Sequence, residues 1–436
     1  MVSYDAFRAK LEEKLSQGMG EKLLKSRVFR HLFKKVFSWQ ADFQLKTTEE
    51  MTNFALDITA KSLKEGEPTV WTSAFFPDEI AYAAGMTPFS PEIASGVMAA
   101  FGQAEKMLKE AESIGFSPET CSFHRCAGGM DINDYLPEPA MILASTHLCD
   151  GAPQLLKILA SRHRVDFNVL DVPAGRSQKA EEYLTRQIEE AFSSCEKITG
   201  RKISQNDIEK SFAASNRARE KWLEVCELRK KFPPVLTSPA ALSFVYLNFL
   251  GYGNPRTADI FSLLVDELKK KLEDRFDLNH PGKVRGNKEN PYLLWLHLRP
   301  YFSREMFDYI QGRAEIVYEE MNHLFWPPLD PDEPFKSLAR KILSHPGLGP
   351  IDNRVEAIKE MIEDYQIDGV VHFSHWGCRQ SAGGTYQLKD SLKKMGVPFL
   401  DLQGDCVDPG GFSTGQIRTR MESFLEMLES RYQAVN

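Results

Sequence analysis

The feature that most constrains the fold of this chain is the alternation of short apolar segments with amphipathic ones. The apolar segment PEPAMILAST contains a predicted strand that ends at Ser145, HLCDGAPQLLKILASR follows with helical spacing, and VDFNVLDVPAG is again apolar. Strand, helix and strand joined by short loops are typical of an α/β fold, because neighbouring parallel strands need a crossover between them. We therefore predict an α/β protein built on parallel sheets.

The alternation resumes beyond a proline-rich segment. Pro233 and Pro234 end a long polar helical stretch and stiffen the chain. Farther on, DGVVHFSHWGC is again a predicted strand that ends in a turn. The predicted regions are a helical N-terminal region (1–66), a first α/β domain (67–232) and a second α/β domain (233–436).

Composition excludes some partners. The chain has 436 residues, 26% of them charged, and a formal net charge of -7. Phosphate binding needs a basic face, so nucleic acid is not expected as a partner. No apolar run reaches the roughly 18–20 residues that span a membrane, and MVSYDAFRAKLEEKLSQ lacks the apolar core of a signal peptide. We expect a cytoplasmic protein with no membrane contact.

Five of the seven cysteines have loop-like surroundings, beside Gly, Ser, His or Asp. They are Cys121, Cys126, Cys149, Cys378 and Cys406. An odd number of cysteines in a reducing compartment argues against a disulfide framework. Each of these residues is therefore either an inert buried thiol or a metal ligand.

Three of these cysteines share a position. Cys149, Cys378 and Cys406 each follow a predicted strand. Ligands of open parallel sheets gather beyond the carboxyl ends of the strands, so this shared placement favours metal binding. Cys149 also precedes a predicted helix with Asp150 as its N-cap, where free N–H groups stabilise a thiolate.

The spacing of the cysteines favours an iron–sulfur cluster over zinc. Zinc sites commonly use tight Cys-x2-Cys pairs, whereas four residues separate Cys121 from Cys126. Scattered single cysteines suit the corners of a cubane cluster, and three thiolates would leave one iron open. Two linked cubanes would use about six ligands. The sixth is left open between Cys195, Cys226 and a group that is not a cysteine.

Two histidines and a tryptophan flank the cysteines. His147 and His375 could move protons near neutral pH, or could donate hydrogen bonds to sulfur or backbone. Trp376 is interpreted as a core residue rather than as an electron relay.

Three more side chains are candidates. Arg379 and Gln380 follow Cys378 and could orient a cluster or cap a helix. Glu79 lies at a predicted strand-to-helix junction, where a carboxylate favours the helix start. It is either an ordinary first-turn residue or a carboxylate that faces the site.

At these residues the chain resembles a known family. ETCSFHR, PEPAMILASTHLCDG and HWGCRQSAGG are similar to the three cluster-binding segments of the 2-hydroxyacyl-CoA dehydratase and benzoyl-CoA reductase component family. WTSAFFPDEIAYAAGMTPF and GDCVDPGGFSTGQIRTRMESFLEML resemble other segments of that family. The resemblance begins near residue 65 and runs to the end.

The resemblance implies two Rossmann-like domains with an iron–sulfur cluster between them. Cys121, Cys149 and Cys378 match the usual three ligands. Such proteins take single electrons from a separate ATP-hydrolysing iron–sulfur activator to reduce a small substrate. GGFSTGQ lacks the lysine of a Walker loop, so ATP hydrolysis is not expected in this chain.

Two cysteines depart from the common pattern. Cys126 and Cys406 are additional, and they resemble the double-cubane cluster proteins, a homodimeric branch with an 8Fe–9S cluster. This branch is the favoured prediction. The alternative is a dehydratase or reductase subunit with one 4Fe–4S cluster, a different partner subunit and an acyl-CoA substrate. An electron carrier without a substrate site and a cluster-free domain with buried thiols are further hypotheses.

Overall fold

The structure is a computed structural model that describes residues 45–233, 235–236, 238–275 and 290–435. Most of the predicted helical N-terminal region, residues 1–44, lies outside the described residues. Its described part contains helix α1 (Lys46–Ser62), which buries Met51 and Phe54.

Eight strands form two parallel sheets. In the first half of the chain these are β1 (Thr69–Thr72), β2 (Thr87–Phe89), β3 (Met141–Ser145) and β4 (Asp166–Leu170). In the second half they are β5 (Tyr292–Leu296), β6 (Glu315–Glu319), β7 (Gly369–His375) and β8 (Phe399–Gly404). The orders are β2-β1-β3-β4 and β6-β5-β7-β8. The second sheet therefore repeats the topology of the first, and the prediction of an α/β fold with two parallel sheets is confirmed.

Helices surround both sheets. Between β1 and β5 the structure contains α2 (Glu79–Ala83), α3 (Pro91–Ala100), α4 (Ala104–Ser113), α5 (Ser122–Ile132), α6 (Gly151–His163), α7 (Gln178–Thr199), α8 (Gln205–Lys231), α9 (Ser238–Ser243), α10 (Val245–Leu250) and α11 (Pro255–Arg275). After β5 it contains α12 (Glu305–Ile310), α13 (Pro334–Leu343), α14 (Ile351–Tyr365), α15 (Arg379–Ala382), α16 (Thr385–Lys394) and α17 (Thr414–Val435). Among the described helices, none has both the length and the apolar character that crossing a membrane requires.

The central strands are buried on both faces, which explains their continuous apolar sequences. Successive side chains of a strand point to opposite faces, and β3 accordingly divides its residues between two apolar layers. Met141 and Leu143 belong to one layer, and Ile142 and Ala144 belong to the other. Strand β5 contributes to the same two layers, so the core is continuous between the two halves.

Helix α8 joins the two halves, although the predicted boundary after residue 232 assigns it to the first. Ser215 donates a hydrogen bond to the Glu79 carboxylate at 2.9 Å. Arg229, near the other end of the helix, forms a buried ion pair with Glu319 of β6 at 2.8 Å. The predicted domain boundaries stay a prediction.

Candidate functional site

A cavity of about 280 Å³ lies at the carboxyl ends of both sheets. Residues that follow β1, β3, β5, β6 and β7 line it. This is the location that the rule for parallel sheets predicts for a ligand.

Three of the predicted cysteine ligands line this cavity: Cys121, Cys149 and Cys378. Cys121 directly precedes α5, Cys149 lies between β3 and α6, and Cys378 lies between β7 and α15. Burial raises the pKa of the Cys121 thiol, and the nearby Cys378 and Cys149 raise it further. Three thiolates this close repel one another, so a bound cation would stabilise the deprotonated set.

Close packing of two turns brings these cysteines together. Gly377 has φ +70°, and a Cβ there would lie 2.9 Å from the backbone nitrogen of Cys121. A glycine thus allows the turn before Cys378 to touch the turn that holds Cys121. Leu148, directly before Cys149, also has a positive φ of 60°.

Cys149 is held at the start of α6. The backbone N–H of Ala152 donates to its Sγ at 3.3 Å, as the prediction of a helix start beside this cysteine implies. Asp150 occupies the N-cap position, but its side chain makes no capping hydrogen bond. It pairs instead with Arg379 at 2.8 Å.

His375 is positioned to donate a hydrogen bond to Cys121. Its Nδ1 accepts from the backbone N–H of Cys406 at 3.1 Å, which leaves Nε2 to carry the proton of the neutral ring. Nε2 lies 3.3 Å from the Cys121 Sγ. Burial lowers the pKa of His375, so the neutral ring is favoured.

A second histidine, His124, lies beside Cys149. Its Nε2 is 3.3 Å from Glu92 Oε1 and 3.8 Å from the Cys149 Sγ. Burial opposes its protonation, but hydrogen bonds to Cys149 and Glu92 outweigh burial and raise its pKa to about 10. The three ligand atoms lie within 4.8 Å of one another, so they are also able to surround a single metal ion.

The two additional cysteines do not line the cavity. Cys126 lies within α5, where burial raises its pKa to about 12. Cys406 is also fully buried, and its pKa is raised by burial and by the neighbouring Asp405, Cys121 and Cys378. Their roles as ligands stay a prediction.

The candidates for a sixth ligand lie in the apolar core. The Cys195 Sγ is 3.9 Å from Met141 Sδ. The Cys226 Sγ is 3.6 Å from the Tyr318 hydroxyl. Neither cysteine lines the cavity.

His147 lines the cavity in a non-polar setting. Its ring lies 5.8 Å from Phe75 and 5.0 Å from His345, measured between centroids. Neither ring nitrogen has a hydrogen-bond partner of ordinary geometry among the described residues. Burial lowers its pKa to about 4, so the ring is neutral at pH 7.

The remaining candidates divide between the cavity and its surroundings. Gln380 lines the cavity and donates to the backbone oxygen of Gly347 at 3.0 Å. Arg379 is exposed. Glu79 does not line the cavity; it binds Lys341, which does. Trp376 is 51% exposed, so its interpretation as a core residue is wrong.

Sequence reasoning missed several residues of the cavity wall: Glu92, His124, His297, His345, Lys341 and Arg354. His124 follows Cys121 by three residues, a spacing that places two residues on one side of a helix, so it carried a local signal. The others come from separate elements and carried none.

Comparison with known proteins finds relatives that match most of the chain. The family model for the D-component of 2-hydroxyglutaryl-CoA dehydratase matches residues 73–428. The (R)-phenyllactyl-CoA dehydratase alpha subunit of Clostridium sporogenes is 24% identical over 400 residues, which cover 88% of this chain and 95% of that protein. A benzoyl-CoA reductase component of Thauera aromatica is 23% identical over 353 residues, which cover 76% of this chain and 81% of that protein.

A third relative is the lactoyl-CoA dehydratase alpha subunit of Anaerotignum propionicum. It is 23% identical over 406 residues, which cover 87% of this chain and 95% of the relative. The resemblance found in the sequence is therefore confirmed. Because the family model covers most of the chain, this protein belongs to the 2-hydroxyglutaryl-CoA dehydratase D-component family.

Proposed function

We propose that this protein is an iron–sulfur component of an enzyme that acts on an acyl-CoA, as a dehydratase or a reductase. In this proposal Cys121, Cys149 and Cys378 hold one 4Fe–4S cluster, and the adjoining cavity holds the acyl group. The observation that carries it is that three cysteines from three separate turns line one cavity.

The donor set fits such a cluster. Three thiols are available, each beside a turn or helix start, and histidine N–H groups lie near two of them. When bound, the cluster would supply single electrons at low potential and one iron without a cysteine ligand.

The other wall residues would act around the cysteines. His375 would hold its proton at Nε2, toward the Cys121 sulfur, and so stabilise the thiolate. Phe75 and Phe249, whose ring centroids are 5.2 Å apart, would exclude water from the acyl group. His147 would offer a neutral ring nitrogen to a polar atom of the substrate.

The partners follow from the same proposal. A separate ATP-hydrolysing iron–sulfur activator in the cytoplasm would supply the electrons, since GGFSTGQ lacks the Walker lysine. A second, different polypeptide would complete the enzyme. Support comes from the relatives, which include both the alpha and the beta subunit of (R)-phenyllactyl-CoA dehydratase.

The second candidate is the double-cubane homodimer, which would also use Cys126 and Cys406. Cys406 favours it, because Cys121 and Cys378 are close enough to raise the pKa of its thiol. This version needs about eight irons per chain, and the single cluster needs about four.

The test is the iron and sulfide content of protein that is purified without oxygen. About four irons per chain, unchanged in Cys126→Ser and Cys406→Ser, is the expected result for the single cluster. About eight irons, reduced by both substitutions, would support the double cubane instead. Cys195→Ser is the matched control, because Cys195 is equally buried but belongs to the other apolar layer from Cys126 and Cys406. A colourless protein without iron would contradict both versions.

A further inference from the structure

Two cationic side chains of the cavity wall, Lys341 and Arg354, are engaged by acidic partners within the protein. The ammonium of Lys341 pairs with the carboxylate of Glu79, which is fully buried behind the wall. It also lies 4.6 Å from the ring centroid of Trp326 and 4.8 Å from that of Tyr252. A carboxylate and two aromatic faces therefore hold this cation in place.

Arg354 is held in a similar way. Its Nε and Nη2 bind the two carboxylate oxygens of Glu320 at 2.6 and 2.8 Å. Its Nη1 donates to the backbone oxygen of Gln380 at 3.0 Å. A two-point pair of this kind fixes the guanidinium and neutralises its charge.

Three more charged side chains line the cavity among the described residues, namely Glu92, His124 and Arg299. Glu92 lies beside His124 at 3.3 Å. The guanidinium of Arg299 lies over the ring of Tyr301, 5.7 Å from its centroid, and 5.9 Å from the centroid of Phe307. Arg299 is also buried.

The rest of the wall is rich in aromatic groups. Phe75, Phe249, Phe325 and Tyr246 join Tyr252 and Trp326 in lining the cavity. The ring of His345 lies 4.2 Å from that of Phe325, and burial lowers its pKa well below the ordinary value. Such a wall favours an apolar guest, because a buried carboxylate without a partner is strongly destabilised.

We propose that the cavity accepts an uncharged acyl group with an aromatic or branched apolar body, and that Glu79 and Glu320 determine this selectivity. Each carboxylate neutralises a wall cation, Lys341 or Arg354, that would otherwise attract a second carboxylate on the substrate. The inference rests on the proposed function, in which this cavity is the acyl site. In this inference Glu79 acts on the cavity through its pairing with Lys341, because Glu79 itself does not line the cavity.

The experiment compares two small thioesters on the anaerobically purified protein. Both are N-acetylcysteamine thioesters, one of 3-phenylpropanoic acid and one of glutaric acid, which keeps a free carboxylate. Isothermal titration calorimetry should give at least about tenfold tighter binding of the phenylpropanoyl thioester, in line with the cost of burying an unpaired carboxylate.

Two variants release the wall cations. Glu79→Gln keeps a partner for Ser215 and unpairs Lys341, whereas Glu320→Gln unpairs Arg354. Each should tighten binding of the glutaryl thioester about tenfold or more, with a much smaller change for the phenylpropanoyl thioester. Glu333→Gln is the matched control, because Glu333 pairs with Lys336 and Arg340 on the surface, and it should change neither affinity.

The outcomes separate the inference from the proposed function. Equal or tighter binding of the glutaryl thioester to the unmodified protein would overturn the inference. Binding of neither thioester to iron-loaded protein would also overturn it, since the cavity would not be the acyl site. If the protein contains no iron but still binds the phenylpropanoyl thioester selectively, the proposed cluster is wrong and the inference about selectivity is supported. If one variant fails to fold, the other variant decides.

Discussion

The two halves of the molecule share a strand order and deliver one cysteine each in the same way. Cys149 follows β3 and Cys378 follows β7, the third strand of each sheet in chain order. The residue directly before each cysteine has a positive φ, 60° at Leu148 and 70° at Gly377. One topological position and one kind of turn therefore place two of the three thiols.

The halves differ in how they treat their other cysteines. In the first half, α3, α4 and α5 lie between β2 and β3, and Cys121 directly precedes the last of these helices. In the second half, Cys406 follows β8 and is buried, with its backbone N–H bound to His375. The repeated topology therefore accounts for Cys149 and Cys378, whereas the position of Cys121 depends on a helical segment that only the first half contains between its second and third strands.

The largest expected effect is the loss of iron when either repeated cysteine is removed. Cys149→Ser and Cys378→Ser should each abolish most iron binding, because three thiolates are the smallest set that holds the proposed cluster. Iron per chain after anaerobic purification measures this. Cys226→Ser, a core cysteine, should keep full iron. Loss of iron in only one of the two variants would show that Cys149 and Cys378 do not have equivalent roles.

The next effect concerns helix α8, which joins the halves. Arg229→Ala leaves the buried Glu319 without its charged partner, which should cost about 3–5 kcal/mol in the free energy of unfolding. Urea denaturation of the iron-free protein measures it. Arg217→Ala, on the same helix, breaks an exposed pair with Asp259 and an exposed hydrogen bond to the Pro255 backbone oxygen, and should cost less than about 1 kcal/mol. Equal costs would show that α8 does not stabilise the junction through this pair.

A smaller effect concerns the close contact between the turn at Gly377 and the Cys121 backbone. Gly377→Ala adds a Cβ at 2.9 Å from the Cys121 backbone at positive φ, and we expect a loss of about 2 kcal/mol or more. Gly200→Ala has a similar φ of 64° with open space around it, so it should cost about 1 kcal/mol. Thermal unfolding and iron content measure both. If the two variants behave alike, close contact between the turns is not important.

Leu148→Gly tests the turn before Cys149 in the opposite direction, because it removes a side chain instead of adding one. Removing the side chain relieves a positive φ, so the change in stability should stay within about 1 kcal/mol. Iron content should be kept. A large loss would mean that the Leu148 side chain, rather than its backbone, positions Cys149.

The smallest effect compares the two histidines near the thiols. His375→Phe removes an N–H donor at 3.3 Å from the Cys121 Sγ, worth about 1 kcal/mol, or on the order of 40 mV for one electron. The potential of the proposed cluster should fall, because a donor to sulfur favours the reduced state. His124→Phe removes a ring that is farther away, at 3.8 Å from the Cys149 Sγ, but that its raised pKa keeps protonated, so it should lower the potential more. A redox titration followed by electron paramagnetic resonance measures both, and a larger fall for His375→Phe would contradict the positive charge of His124.

Much of this organisation was available from the order of residues alone. Short apolar segments such as the one that ends at Ser145, which alternate with helical stretches, predict strands whose side chains are buried. Because Cys149 and Cys378 each follow such a strand, the sequence predicted that both lie at the carboxyl ends of the strands. The motifs around them predicted the family, which the comparisons confirmed.

The tertiary structure decided which neighbours each side chain meets. Glu79 was predicted from its helix start, but its partner Lys341 is 262 residues away in the sequence. Cys406 follows a strand as Cys378 does, yet its side chain is buried in the apolar core and does not line the cavity. Local patterns determine which segments become strands and where those strands end, because these depend on nearby residues. Whether a charge is neutralised, or a thiol faces a cavity, depends on contacts between distant segments, and those exist only once both sheets are packed together.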